Sequence, residues 1–460
     1  MKRWFILTGM IIFIISCYSG KIKYPATGAV RYRLSEEQNR FLDTLQYRTF
    51  LYFWNECNPA NGLIRDRSSK KSPASIAATG FGIVAWAIGA EHGWITRESA
   101  AERTLTLFRF LMRSEQNPSP SATGYQGFYY HFLNMTTGAR MWKSELSTID
   151  TAWLLAGVRF AVHYYSQNNP VENEIRTLGD SLTFRVKWDF MTLPDTGHYA
   201  GTISLGWFPE KGLHEIGWVG YNEALYLYIL AAGSGYQNAA KAYRRWLSTY
   251  QWFTPYPGLA HVGFPPLFGH QYTHMFIDMR GLMDEYMQKK GIDYFENSRR
   301  ATLAQRRYAQ ENPMGWTGYD SLTWGWTACD GPGPSYNHNG KKFNWYTARG
   351  MIGSRYIQFD DGTIAPTAAG GSIIFSPQTV IPTLMSMMKR FGEKGLWGRY
   401  GFVDAFNLTV NWFDNDYLGI DQGPILIMAE NLRTGMVWKY CMMDSVIQEG
   451  LAKLHFIRNK

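Results

Sequence analysis

Cysteine is scarce in this 460-residue chain: Cys17, Cys57, Cys329 and Cys441 are all it has. Their wide spacing excludes a disulfide framework and a cysteine-based zinc site, and it points to the last three as small buried groups. Familiar catalytic signatures are missing too. There is no HExxH helix, no G-x-S-x-G elbow and no phosphate-binding glycine loop, which removes the zincin, serine-hydrolase and nucleotide-binding readings. Lys and Arg number 46 against 37 Asp and Glu, a net charge of +9. No basic run alternates with glycine or aromatics, so no nucleic-acid partner is expected. Period-two alternation is rare and confined to loops, as over 127–132 and 372–375. A TIM barrel would need eight apolar strands, and they are not there.

One apolar run stands at the N-terminus. Lys2 and Arg3 precede residues 4–15, too short a stretch to span a bilayer as a stable helix. It leads into Ile14-Ile15-Ser16-Cys17, which resembles a bacterial lipobox, whose cysteine becomes the lipidated first residue. The expected organisation is a signal peptide over 1–16, a tether over 17–34 with lipid on Cys17, and a single domain over 35–460. Membrane contact would run through the lipid alone. No acidic cluster follows the cysteine, which favours the periplasm over the outer face of the outer membrane.

What the chain has in excess is aromatic residues: 18 tryptophans, 29 tyrosines and 27 phenylalanines, 16 % in all. Many must be core. Flat rings beside hydrogen-bonding loops also suit sugars, whose C–H faces stack while their hydroxyls seek polar partners.

Apolar groups at helical spacing predict helices from a capped start at Ser35 onward, then over 74–92, 96–115, 147–167, 173–189, 222–232, 237–253, 273–289, 294–311, 379–391, 422–431 and 443–455. Residues 74–89 and 151–157 are almost wholly apolar or small, as buried helices are; 96–115 and 294–311 carry charge on one face, as outer helices do. Alternation of the two kinds predicts an all-α fold, an (α/α)6 toroid of inner and outer helices. The connections alternate as well. Those over 117–146, 193–221, 254–272, 312–377 and 395–421 are long and aromatic, and each precedes an inner helix, so all five fall on one face.

Acidic residues recur where a long loop enters an inner helix. Asp150, Glu223 and Asp421 are such residues, and Asp404 and Asp416 lie in the last long loop. Capping alone explains many aspartates in such places, but glutamate is a poor cap. Glycoside hydrolysis commonly uses one protonated carboxyl and one carboxylate flanking the bond. Glu223, between Tyr221 and an apolar run, suits the acid; the base is open among Asp150, Asp404, Asp416 and Asp421. Glu145, Trp218, Tyr221, His274, Trp326, Arg349 and Phe402 are candidates for substrate contact. His261, His270 and His274 lack metal-ligand spacing. Asp414-Asn415-Asp416 begins like a calcium loop, but Leu418 and Ile425 fall where oxygen ligands are required, so no metal and no cofactor are expected.

Four segments, STIDTA at 147–152, WVGYNEA at 218–224, YGFVDAFN at 400–407 and DYLGIDQGP at 416–424, resemble the signatures of the glucoamylase-like domain of glycoside hydrolase family 144. That domain is similar to a region of cyclic β-1,2-glucan synthases. The resemblance runs from about residue 35 to the C-terminus. It implies an (α/α)6 barrel, no metal, and inverting hydrolysis of β-1,2-glucan, either internally or with release of sophorose from a chain end. Glu223 matches the family's acid. The substrate would be the glucan, and the protein a monomer. Rival readings are a barrel hydrolase or lyase for another polysaccharide, and a lipoprotein that binds glycans without turnover.

Overall fold

Helix starts follow the capping signals. In the computed structural model, which describes residues 24–28, 30–353 and 356–459, α1 (Glu36–Asn55) opens on Ser35. The Ser35 side chain accepts the Gln38 N–H and Gln38 bonds back to the Ser35 N–H, a reciprocal capping box. Then come α2 (Ile76–Glu91), α3 (Arg97–Arg113), α4 (Thr148–Tyr164), α5 (Pro170–Phe184), α6 (Ala224–Gly233) and α7 (Ala239–Leu247). The second half holds α8 (Tyr272–Phe276), α9 (Glu285–Lys290), α10 (Tyr294–Glu311), α11 (Pro366–Gly370), α12 (Pro377–Phe391), α13 (Gly419–Arg433), α14 (Met436–Cys441) and α15 (Ser445–Lys453).

Burial sorts them into two rings. Every residue of α6, and of α2 from Ile76 to Gly89, is buried. In α5 the buried set is Glu172, Ile175, Gly179, Leu182 and Thr183, a single stripe. The inner ring runs α2–α4–α6–α8–α11–α13 and closes where α13 packs on α2; α1, α3, α5, α7, α10 and α12 lie outside. Gln271, at the start of α8, donates to the Ala368 carbonyl at 2.7 Å and so ties α8 to α11. This is the (α/α)6 toroid expected from the sequence. At the other end of the ring, α14 and α15 close the barrel: Asp444 caps α15 and accepts Arg159 Nε at 2.7 Å and His163 Nε2 at 2.8 Å from α4.

Helices α2 and α4 cross closely. A Cβ on Gly80 would collide with the Trp153 carbonyl, and one on Gly157 with the Gly80 carbonyl. Both obstacles are backbone, so the helices themselves must part. Gly157→Ala is expected to cost about 1–3 kcal/mol, seen as a lower midpoint in urea unfolding.

Several expectations need correction. The helix expected over 273–289 is broken: Gly281 takes φ +71 and Leu282–Met283 pairs with Ile457–Arg458, a partner far off in sequence. The helix expected over 237–253 stops at Leu247, and Trp252–Phe253 pairs with His261–Val262. Residues 372–375 form turns, not a strand. The short helix α11 carried too few turns to leave a periodic pattern. Residues 1–16 and Cys17 lie outside the described residues. Part of the expected tether is packed, since Tyr24 is buried.

The long loops fasten to one another over the mouth. Gly124–Tyr125, Phe128–Tyr130, Leu146–Ser147, Gly206–Phe208 and Gly212–Leu213 make one antiparallel sheet from the loops before α4 and α6. Thr363–Ile364, Phe406–Asn407 and Trp412–Phe413 join the loops before α11 and α13 in the same way.

Candidate active site

A cavity of about 620 Å³ opens where the inner helices begin. Ser75, Asp150, Glu223, Tyr272 and Asp421 line it, each at the start of a different inner helix. The three acids are not spent on capping. Ser147 caps α4, accepting the Asp150 N–H at 3.1 Å, and Asn222 Oδ1 accepts the Ala224 N–H at 3.0 Å. Glu223 itself makes no side-chain capping bond, and Asp421 Oδ2 makes no hydrogen bond. The Glu223 and Asp421 carboxyls are therefore free to face the cavity.

On one wall, Asp150 Oδ2 accepts the Ser147 hydroxyl at 2.5 Å and lies 3.6 Å from His131 Nδ1, which sits 2.8 Å from Glu145 Oε1. Burial works against charge on His131, but Asp150, Glu145 and Asp66 outweigh it and push its pKa up to about 9. His131 is thus an imidazolium at neutral pH. Glu223 is 8 % exposed, and its Oε2 has no hydrogen-bond partner. Burial, with Asp150's negative charge behind it, pushes its pKa up to about 7. A proton held there at neutral pH, on an unbonded oxygen facing a cavity, is a poised acid.

The opposite wall is built around Arg67. Its guanidinium lies 2.8 Å from Asp330, 3.6 Å from Asp66 and 3.7 Å from Asp416, and an isolated bridge from Arg67 to Leu418 joins this loop to α13. Behind Asp421 stands Asp404, buried, with Oδ2 accepting the Asp330 N–H at 2.7 Å. The Asp404 and Asp421 carboxyls stand close enough to share one proton. Burial and the neighbouring charges raise both: Asp421 to about 7, Asp404 well above the ordinary carboxylate range. Asp404 therefore keeps the shared proton and Asp421 ionises first. Oxygens of Asp330, Asp404 and Asp414 lie within 4.8 Å of one another, close enough to chelate a cation. Arg67 already brings positive charge to Asp330, and Asp404 is engaged by Asp330 and Asp421.

Of the residues expected from sequence, Glu223, Asp150 and Asp421 line the cavity, Asp404 backs Asp421, and Asp416 accepts Ser68 Oγ at 2.8 Å in the Arg67 network. Glu145 acts through His131. Trp218 is a brace: its indole N–H donates to Thr148 Oγ1 at 2.9 Å. Tyr221 is buried, stacked on Tyr294 and beside His270. Four others are core groups away from the cavity. His274 bonds Ser298 at 3.0 Å, the Trp326 indole N–H reaches Tyr319 Oη at 3.2 Å, Arg349 pairs with Asp361 at 2.8 Å, and Phe402 packs edge-on against Trp397. Sequence reasoning missed Asp66, Arg67, His131, Phe132, Trp142, Phe268, Tyr272 and Tyr346, all on the cavity wall. Asp66 and Arg67 sit in a connection with few aromatics, and His131 in a stretch that reads as a strand.

The glycoamylase family model matches residues 215–445, which include Glu223, Asp404 and Asp421. An exo β-1,2-glucooligosaccharide sophorohydrolase acting at the non-reducing end, from Parabacteroides distasonis, is 29 % identical over 94 % of this chain; the chain spans 59 % of that relative's length. A candidate glucoamylase from Bacteroides uniformis, known as a crystal structure, is 33 % identical with a TM-score of 0.78, covering 93 % of this chain and 99 % of that one. The endo-β-1,2-glucanase of Chitinophaga pinensis, solved with sophorotriose and glucose, is 28 % identical with a TM-score of 0.77, covering 92 % of this chain and 99 % of that one. The chain belongs to the glycoamylase family, the glucoamylase-like group of glycoside hydrolase family 144.

Proposed function

We propose that this chain hydrolyses β-1,2-glucans with inversion at the anomeric carbon, Glu223 acting as acid and Asp421 as base. The observation that carries the reading is the buried Glu223 carboxyl, with an oxygen that has no hydrogen bond, in a cavity shared with a second unbonded carboxyl oxygen, on Asp421. Glu223 protonates the leaving oxygen, directly or through a relay. Ionised Asp421, beside proton-bearing Asp404, takes a proton from the attacking water as its oxygen bonds to the anomeric carbon. His131 and Arg67 hold the remaining charges in place. The relatives named for sophorose release and for endo-β-1,2-glucanase action support the linkage. Arg67 is already paired with Asp66, Asp330 and Asp416, and His131 with Glu145 and Asp150, so among the described residues the cavity has no spare cation to hold a polyuronate; this favours a neutral glucan over a lyase substrate.

Incubation with linear β-1,2-glucan, followed by product sizes over time and the anomer first released, tests this. Sophorose as the sole early product indicates cleavage from a chain end; a ladder of sizes indicates internal cleavage. Binding without turnover would overturn the proposal in favour of a glycan-binding protein.

At the rim, Trp142 is 65 % exposed and packs edge-on against Phe132. Such a ring is a stacking platform for a glucose face. Trp142→Ala is expected to raise KM roughly tenfold with kcat little changed, measured in steady-state glucan hydrolysis.

A further inference from the structure

The closed end of the barrel carries a socket that catalysis does not use. Tyr24 is 1 % exposed there. Its hydroxyl donates to the Phe456 carbonyl at 2.6 Å and its N–H to Gln448 Oε1 at 2.7 Å, while Gln448 Nε2 donates back to the Tyr24 carbonyl at 3.1 Å. Three residues on, Thr27 donates its N–H at 2.7 Å and its hydroxyl at 2.8 Å to Asp278 Oδ2. Arg280, bound to that same carboxylate, reaches the Gly28 carbonyl. Gln448 lies in α15 and Asp278 just after α8, so every partner belongs to the end where the inner helices finish.

Chain length turns this socket into a statement about orientation. Six residues lie between Cys17 and Tyr24, so seven Cα–Cα steps give a reach of at most roughly 25 Å. The inner helices α2 and α4, of 16 and 17 residues, are themselves about 25 Å long. A tether leaving the closed end cannot climb that wall, turn, and bring the mouth to the surface that holds its lipid. Beside the socket, Met443 and Ile457 are 59 % and 41 % exposed, and Lys439 is exposed as well. Apolar and cationic side chains together suit an anionic headgroup layer.

We propose that the closed end is the membrane-facing surface, and that the Tyr24–Thr27 clamp holds the lipid-anchored chain with its mouth turned away from the bilayer. This rests on the lipobox reading of Cys17 and is independent of the hydrolase reading. In that chemistry Cys17 Sγ takes a diacylglyceryl group from a phospholipid, its thiol proton leaving with the released headgroup phosphate. Water then cleaves the peptide bond between Ser16 and Cys17.

The test uses the full lipidated chain in vesicles of phosphatidylethanolamine and phosphatidylglycerol carrying a headgroup quencher. One fluorophore is placed on Met443→Cys at the closed end, another on Lys143→Cys at the mouth; Cys57, Cys329 and Cys441 are buried. Quenching several-fold stronger at position 443 than at 143 is expected. Tyr24→Ala combined with Thr27→Val should shrink that difference while the protein stays on the vesicles. Equal quenching, stronger quenching at the mouth, no lipid mass on Cys17, or a Cys17→Ser protein that still floats with vesicles would each overturn the proposal.

Discussion

Glu223→Gln is expected to lower kcat on β-1,2-glucan by about 10²–10⁴-fold while leaving glucan affinity nearly unchanged. The leaving group is a sugar hydroxyl, which departs slowly unless it is protonated, and an amide cannot supply that proton. The change is close to isosteric, and Glu223 Oε2 has no hydrogen bond to lose, so the cavity should keep its shape. Calorimetric binding alongside initial rates separates the two effects. An aryl sophoroside, whose phenolate leaves unaided, should recover most of the lost rate. Near-normal kcat on glucan would remove Glu223 from the chemistry.

Acidity adds a second readout. Glu223 must be protonated to act, so kcat/KM should fall above pH about 7, and that alkaline limb should vanish in the Gln variant. Stability follows with a definite sign. Burial raises this carboxyl in the folded state, so the native protein binds the proton more tightly than the unfolded chain, where Glu titrates near about 4.3. That contribution is present at low pH and is lost as pH rises through about 7. The variant escapes the loss, so its melting temperature should gain on the parent's as pH rises from about 4 to 7.

Much of this is legible in the sequence, for reasons that are local. The helix expected over 294–311 is α10, and the capped start at Ser35 is a reciprocal box, because periodicity and capping are written in adjacent residues. The alternation of bare apolar helices with one-faced ones carried the two rings, and it placed Glu223, Asp150 and Asp421 on one mouth. What stayed hidden depends on partners distant in sequence. Nothing near Arg67 announces that it will meet Asp330 and Leu418. Nothing near Gly281 says that the following residues will pair with the chain's end instead of continuing a helix. Trp326 and Arg349 misled for the complementary reason: long aromatic loops fold partly onto themselves and fill their own core, as the Trp326–Tyr319 and Arg349–Asp361 contacts do.

The base, open among four aspartates in the sequence, separates in the structure, and the test is a pair of variants. Asp421→Asn should lower kcat by about 10²–10⁴-fold on glucan and on the aryl sophoroside alike, because water activation is needed whatever leaves. Asp404→Asn should cost far less. Asp404 keeps the shared proton and acts as a donor toward Asp421, a task an amide N–H can also perform. The pH profile distinguishes them further. Asp421 works ionised, so activity should fall below about 7, and with the Glu223 limb this makes a narrow bell centred near neutrality. Asp421→Asn should erase the acid limb from its residual activity, whereas Asp404→Asn should only shift it. Asp150 and Asp416 fit other tasks, since Asp150 is held by Ser147 and His131 and Asp416 by Ser68 and Arg67. The reverse outcome, with Asp404→Asn inactive and Asp421→Asn largely active, would move the base one carboxyl deeper. It would also require the attacking water to reach a group that does not line the cavity.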